Sequence, residues 1–265
     1  MTPEEKYRFD LNGYLVIEQA LPPELVAELN QAVDEIEALG DDLTPYGATL
    51  TKLQDNIYFA GGGETRKDGL VDYSIGNLLA FGGPFETLID LPNILPYIAE
   101  LIGTDYRLDA ASILSRSRGG GTRFHHCSAE LLPYCEYAVV NGAFQCVSIK
   151  VAYALTAVGP DDGPFVVIPG SHKSAFPNPY VAQVDFPPQM LGRRMQPLPV
   201  KAGDAIIFTE DIAHGALRNR GDNIRRTIFY SYAPTFQAPW PGLVAPKDLK
   251  SPTRERLVFA KPPYW

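Results

Sequence analysis

Five short runs of β-branched and aromatic residues constrain what this chain of 265 residues can fold into. Each run is bounded by Gly, Pro, Asn or Asp. The runs cover residues 106–114, 145–156, 165–168, 205–208 and 227–232. Long, irregular connections separate them, which disfavours a parallel α/β sheet. The pattern predicts a mainly β fold with flanking helices and a double-sheet jelly-roll core.

The N-terminal part predicts one strand and two helices that pack outside the core. The strand covers residues 13–17, and Pro22 and Pro23 then open a helix that Gly40 stops. Apolar residues recur every three to four positions along this helix, at Leu25, Leu29, Val33 and Ile36. A second helix is predicted for residues 92–102.

A single domain over residues 1–265 is favoured because the chain has no internal repeat or low-complexity linker. We expect a helical N-terminal part with a lid at 1–105, the jelly-roll core at 106–233 and a C-terminal cover at 234–265. The lid is expected from segment 41–83, which is long enough, like the C-terminal cover, to close the mouth of a barrel.

Charge and hydropathy narrow the class of partner. The net charge of −8 disfavours unspecific binding to nucleic acid or to an anionic membrane, and no apolar run approaches the length of a membrane span. The N-terminus has no apolar segment typical of a signal peptide. A small-molecule substrate is therefore the expected partner, and the oligomeric state stays open.

The three cysteines, Cys127, Cys135 and Cys146, have no Cys-x-x-Cys spacing. An odd number without that spacing argues against both a disulfide framework and a structural zinc site. A reducing, cytoplasmic location is the expectation that fits this pattern.

A histidine and an arginine mark the stretch between the last two β-like runs. Residues 205–208 lead to His214, and a polar turn at residues 221–223 leads back to Arg225, so the stretch predicts a hairpin. Imidazole binds Fe or Zn, and a guanidinium binds a carboxylate through two hydrogen bonds, so the pair could seat a metal beside a dicarboxylate. A surface hairpin with a capping His and a solvated Arg is the alternative.

The remaining histidines lie near turns in the β half. His125 and His126 are adjacent, so on a strand they face opposite sides and at most one can share a site with His214. A hydrogen-bonded loop pair is the alternative for these two. His172 lies in a Pro-Gly-Ser-His-Lys segment and is expected to serve a tight turn.

Several segments form a recognisable combination. Near the N-terminus they are Gly13-Tyr-Leu-Val-Ile and Leu21-Pro-Pro-Glu-Leu-Val-Ala. In the β half they are Asp162-Gly-Pro-Phe-Val-Val-Ile-Pro-Gly-Ser-His-Lys173 and Lys201-Ala-Gly-Asp-Ala-Ile-Ile-Phe208. They also include His214, followed by Asn219 five residues later and by Arg225 eleven residues later, and the ending from Arg254 to Tyr264. Together they resemble the phytanoyl-CoA dioxygenase family of non-haem iron, 2-oxoglutarate-dependent oxygenases.

The resemblance implies a double-stranded β-helix, a cupin-like jelly roll, with a metal at one end. It implies that His125 and His214 bind Fe(II) and that Arg225 binds the distal carboxylate of 2-oxoglutarate, with Thr227 and Asn219 as further cosubstrate-binding residues. Two imidazoles and one carboxylate leave open positions for the oxoacid and O2. The implied activity is hydroxylation or another oxidation of a C–H bond in a small metabolite.

The chain departs from the family pattern at the third metal ligand. The family has Asp or Glu two residues after the first His, whereas this chain has Cys127. Cys127 could bind as thiolate, Glu130 could replace it, or a vacant position could take chloride, as in related halogenases. A weak metal site in a non-catalytic binding protein is a further alternative, and so is a buried structural role for Cys127. A register with His126 and Ser128 supplies no carboxylate either.

Lys150 is a charged residue inside an otherwise apolar run. A buried lysine needs a partner, so Lys150 either meets an anionic cosubstrate or points to solvent at a sheet edge. The sequence pattern favours solvent.

Overall fold

A computed structural model shows the fold. It describes residues 1–38, 50–54, 57–60, 73–126, 135–181, 183, 186–187, 190–237, 243, 249 and 251–260, with the backbone alone for 50–54 and 57–60. Cys127, Glu130 and Ser128 lie outside the described residues, as do most of the predicted lid and much of the predicted C-terminal cover.

Five α-helices are described. They are α1 (Pro3–Asn12), α2 (Pro23–Ala38), α3 (Pro84–Thr87), α4 (Leu95–Ile102) and α5 (Pro252–Phe259). Helices α2 and α4 confirm the two predicted helices. Helix α1 was not predicted, because Phe9 is its one buried residue and no apolar periodicity shows. Its beginning is stabilised by a capping box between Thr2 and Glu5.

The β-strands form two main sheets and one small hairpin. The strands are β1 (Tyr14–Ile17), β2 (Leu50–Gln54), β3 (Ile57–Ala60), β4 (Tyr73–Gly76), β5 (Tyr106–Arg116), β6 (Thr122–His125), β7 (Val139–Val140), β8 (Ala143–Phe144), β9 (Ile149–Ala154), β10 (Phe165–Val167), β11 (Gln196–Leu198), β12 (Ala205–Thr209), β13 (His214–Ala216) and β14 (Arg225–Pro234). The larger sheet has the order β1-β12-β9-β14-β5-β4-β3-β2, and the smaller one β11-β10-β13-β6.

The two sheets confirm the jelly-roll prediction. Their described pairings are antiparallel except for the single parallel contact between β3 and β4, and strands distant in sequence lie side by side. The predicted hairpin of β12 and β14 is wrong, because β9 lies between them and pairs with both. The connection between them contains β13, which belongs to the other sheet.

The larger sheet is buried on both faces. Leu29 of α2 and Ile98 of α4 share one apolar cluster with outward-facing Tyr230 of β14. On the opposite face, Phe208 of β12 packs with Val167 of the smaller sheet. The helices thus cover the outside, and the space between the two sheets remains for a cavity.

The N-terminal part contributes more than helices, since β1 to β4 belong to the larger sheet. The boundaries predicted at residues 105 and 234, between the N-terminal part, the core and the C-terminal cover, stay predictions.

Within the described residues, no helix is both long and apolar enough to cross a membrane.

Gly13 and His172 join two of the sequence segments that carried the resemblance. Gly13 ends α1 at φ +83°, and a Cβ atom there would lie 2.6 Å from Nδ1 of His172. His172 is buried, and its Nε2 lies 3.1 Å from the Asp10 carbonyl oxygen. Burial lowers the pKa of His172 to about 4, so its ring is neutral at pH 7. These contacts agree with a structural role in a tight turn.

Gly13→Ala is expected to destabilise the protein more than Gly142→Ala. Both glycines have similar φ values, +83° and +78°, but nothing lies within 4 Å of a Cβ atom at Gly142. Left-handed backbone costs an alanine about 1–2 kcal/mol, and overpacking against His172 adds about 1–3 kcal/mol. Urea unfolding of both variants measures the difference, and equal losses would contradict the packing argument.

Candidate metal centre

His125 and His214 face each other across the smaller sheet. His125 ends β6 and His214 begins β13, and the two residues are direct partners in the antiparallel register. Their ring centroids lie 4.0 Å apart. His214 is 4% exposed, whereas the His125 side chain is 39% exposed. The pairing of two short strands therefore brings together residues that are 89 positions apart in sequence.

Each imidazole is oriented by its own backbone. Nδ1 of His125 lies 2.9 Å from the carbonyl oxygen of Arg123, and Nδ1 of His214 lies 2.7 Å from that of Ile212. A carbonyl oxygen only accepts, so Nδ1 carries the proton on both rings. The lone pair is then on Nε2, the nitrogen that a metal ion would use.

Glu210 completes a group of three possible metal ligands. One ligand atom each from His125, Glu210 and His214 lies within 4.8 Å of the other two. Glu210 follows β12, and its backbone N–H donates to the Ser148 carbonyl at 3.1 Å. It is 8% exposed, and its Oε1 lies 4.0 Å from Nε2 of His125.

The charges of this group suit cation binding at neutral pH. Burial alone raises the pKa of Glu210, but attraction to nearby cationic groups, foremost Lys150, outweighs it and the net shift is downward. Burial, reinforced by the proximity of His125, lowers the pKa of His214 to about 3. An ionised carboxylate and a neutral imidazole are the forms that coordinate metals.

Lys150 points into this site. Its Nζ lies 2.8 Å from Oε2 of Glu210, and its side chain is 29% exposed. Strand β9 is an interior strand between β12 and β14, so the expectation that Lys150 lies at a sheet edge in solvent is wrong. The partner of Lys150 in the structure is the carboxylate of Glu210, and contact with an anionic cosubstrate stays a prediction.

A cavity of about 360 Å³ opens beside the three possible ligands. Arg225 and Thr227 also line it; they lie two residues apart on β14 and so share a face of the sheet. Arg225 is 5% exposed, and its Nη1 donates to the Gly163 carbonyl. A buried guanidinium in a cavity of this size suits an anionic ligand.

Other residues considered from the sequence lie elsewhere. His126 is 1% exposed and is not among the residues that line the cavity, as expected for the neighbour of a site-facing histidine. Asn219 is buried in the turn before Arg225, where its Nδ2 donates to the carbonyls of Arg116 and Asn223. Cys135 lines the cavity and is disulfide-bonded, so the expectation that the cysteines form no disulfide is wrong.

Glu210 is not predicted from the sequence. The family pattern places the carboxylate two residues after His125, and Glu130 is the substitute expected near that position. The available signal is an acidic residue four positions before His214 and two positions after the end of an apolar run. That signal is weak alone, because a carboxylate after a strand is usually solvated.

Two imidazole nitrogens and one carboxylate oxygen beside a cavity match the ligand set of non-haem iron oxygenases. The model for phytanoyl-CoA dioxygenase (PhyH) matches residues 9–227. The chain belongs to the phytanoyl-CoA dioxygenase family. It is accordingly an enzyme of the dioxygenase type, and the resemblance identified from sequence segments is confirmed.

Relatives of known structure share the phytanoyl-CoA dioxygenase fold along most of the chain. HygX from Streptomyces hygroscopicus, solved with nickel and 2-oxoglutarate, is 22% identical with a TM-score of 0.70, covering 95% of this chain and 94% of HygX. The α-ketoglutarate-dependent carbocyclase SnoK from nogalamycin biosynthesis is 17% identical with a TM-score of 0.62, covering 89% and 85% of the two chains.

A curated relative, dioxygenase olcK from Penicillium canescens, is 24% identical over 232 residues. The match covers 86% of this chain and 69% of olcK.

Asn219→Ala is expected to lower the free energy of unfolding by about 2–4 kcal/mol, because it leaves buried backbone groups without their partners. Besides its two donated bonds, Asn219 accepts one from the Gly221 N–H at 3.0 Å. Asn223→Ala, in the same turn, removes an exposed side chain with one bond to the Ala157 carbonyl and should cost less than half as much. Chemical denaturation compares them, and equal losses would argue against a turn-organising role for Asn219.

Proposed function

We propose that this chain is an Fe(II)- and 2-oxoglutarate-dependent oxygenase that oxidises a C–H bond of a small metabolite. The observation that carries the proposal is the convergence of His125, Glu210 and His214 beside a cavity that also contains Arg225. In this proposal the three residues hold iron, and Glu210 supplies the carboxylate that the family pattern leads one to seek at position 127.

The donor set fits the metal on chemical grounds. Two imidazoles and one carboxylate match the ligand preference of Fe(II) in enzymes that keep open coordination positions. Both Nδ1 atoms already donate to backbone carbonyls, which leaves Nε2 for the metal. Nickel and iron in HygX structures support a divalent metal in this fold.

Arg225 is proposed to bind the distal carboxylate of 2-oxoglutarate. Its guanidinium is buried, lines the cavity and is oriented by the Gly163 carbonyl. Thr227 lies on the same face of β14 and can donate its hydroxyl to the same carboxylate. A direct contact of Asn219 with the cosubstrate stays a prediction, and its hydrogen bonds support an indirect role through the turn that precedes Arg225.

Bound iron and 2-oxoglutarate would supply the O2-dependent oxidation of a C–H bond. The protein's own contribution is to orient the cosubstrate carboxylate, to limit water and to hold the substrate near the ligands. Its cavity has both apolar and polar walls, including Phe229 and Ser231, which suits a small metabolite. The HygX structure with hygromycin B supports a small-molecule substrate.

Halogenation is the alternative that a vacant third ligand position would favour. Glu210 argues for oxygenation, because a carboxylate in that position leaves no additional site for chloride. Comparing products formed with and without chloride tests the alternative.

The first test of the proposed function is an anaerobic titration of the metal-free protein with Fe(II) and 2-oxoglutarate. Chelation of iron by the oxoacid produces a visible charge-transfer band. Absence of the band at saturating concentrations of both would contradict the proposed function.

Glu210→Gln is expected to weaken Fe(II) binding by at least about tenfold, since loss even of groups that orient a ligand costs about 10- to 100-fold. Asp211→Asn is the matched control, because Asp211 is the adjacent acid and does not line the cavity. It should leave the Fe(II) dissociation constant within about twofold in anaerobic equilibrium dialysis. Unchanged Fe(II) binding in Glu210→Gln would contradict the assignment of Glu210 as the third ligand.

Arg225→Ala is expected to raise the dissociation constant for 2-oxoglutarate by about 10- to 100-fold, the equivalent of one charge-assisted hydrogen-bond pair. Fe(II) affinity without oxoacid should stay the same. Arg226 is the control: it is the next residue on β14 and pairs with Asp34 at 2.7 Å. The charge-transfer band measures the 2-oxoglutarate dissociation constant of both variants. An equal loss of 2-oxoglutarate affinity in Arg226→Ala would point to a general disturbance of the strand.

A further inference from the structure

Lys150 occupies a position in the sheet where a charge is costly. It pairs with Phe208 of β12 on one side and Ser231 of β14 on the other, so both flanks of its backbone are covered. Its side chain faces the cavity together with that of Ala152. An ammonium group there needs an anionic partner, and Glu210 provides one at 2.8 Å.

Two contacts hold Glu210 against β9, one with Ser148 directly before the strand and one with Lys150 in the strand. Its backbone N–H donates to the Ser148 carbonyl at 3.1 Å, and its Oε2 meets Lys150 two residues further along. The other oxygen, Oε1, lies on the side of His125, 4.0 Å from Nε2. The two carboxylate oxygens therefore face different groups.

This division matters because a carboxylate can bind a metal through one oxygen or through both. In a six-coordinate site, two imidazoles and one oxygen leave three positions, which a chelating oxoacid and dioxygen require together. A second carboxylate oxygen would occupy one of them. The chemistry therefore needs Oε2 to be held away.

We propose that Lys150 is a positioning residue that holds Oε2 of Glu210, so that Glu210 offers only Oε1 to the metal. The inference rests on the proposed function, because it takes Glu210 as a ligand. It adds a role for a residue outside the ligand set and explains why a lysine lies on an interior strand.

A competing role is direct attraction between Lys150 and the oxoacid. Both roles predict weaker oxoacid binding when the charge is removed. They differ before any oxoacid is added, because only the positioning role changes how the protein binds the metal alone.

The experiment uses Co(II) as a spectroscopic probe under anaerobic conditions, followed by 2-oxoglutarate, with the wild-type protein and three variants. Lys150→Met removes the ammonium group at similar length, and Lys150→Arg retains a cation that can still pair with Glu210. Lys6→Met is the matched control, because Lys6 pairs with Glu100 on the helical side of the protein. The readouts are the ligand-field spectrum of bound Co(II) and the dissociation constant for 2-oxoglutarate.

Lys150→Met is expected to change the Co(II) spectrum without oxoacid and to raise the 2-oxoglutarate dissociation constant at least tenfold. Lys150→Arg and Lys6→Met should match the wild-type protein in the spectrum. An unchanged spectrum in Lys150→Met overturns the proposal even if oxoacid binding weakens, since Lys150 would then act on the oxoacid directly. A wild-type protein that binds neither Co(II) nor the oxoacid would overturn the proposed function, and the inference with it.

Discussion

The pairing of β13 with β6 is the contact on which the candidate site depends. It sets His214 opposite His125 in the smaller sheet, and a slip of one residue would turn one imidazole to the other face. The same pairing determines where Glu210 lies, because only three residues separate it from His214. One strand register therefore brings together all three possible ligands.

Burial gives this group its chemical character. A carboxylate as buried as Glu210 would tend to become neutral, and the nearby Lys150 keeps it ionised. Burial has the opposite effect on His214, where it favours the neutral ring. Both effects yield groups that can coordinate a cation, while Arg225 in the same cavity suits an anion. One cavity is thus lined both by a group that suits a cation and by a group that suits an anion.

The carboxylate beside the two histidines comes from a different place in the chain than the family pattern suggests. The family pattern places it two residues after the first histidine, whereas Glu210 approaches from the turn after β12. The ends of β6 and β12 border one cavity, to which His125 and Phe208 both contribute. A departure from a sequence motif therefore does not by itself predict a missing ligand.

The sequence by itself determined six of the strands (β1, β5, β9, β10, β12 and β14), the helices α2 and α4, and the family, because β-branched runs, apolar periodicity and short motifs are local properties. It also identified His125, His214 and Arg225 as residues to examine. Only the tertiary structure decided that β9 separates β12 from β14, that Lys150 lies inside the sheet and that Glu210 joins the histidines. Those facts depend on which strands pair across long stretches of chain, and no local pattern around Lys150 or Glu210 encodes that choice.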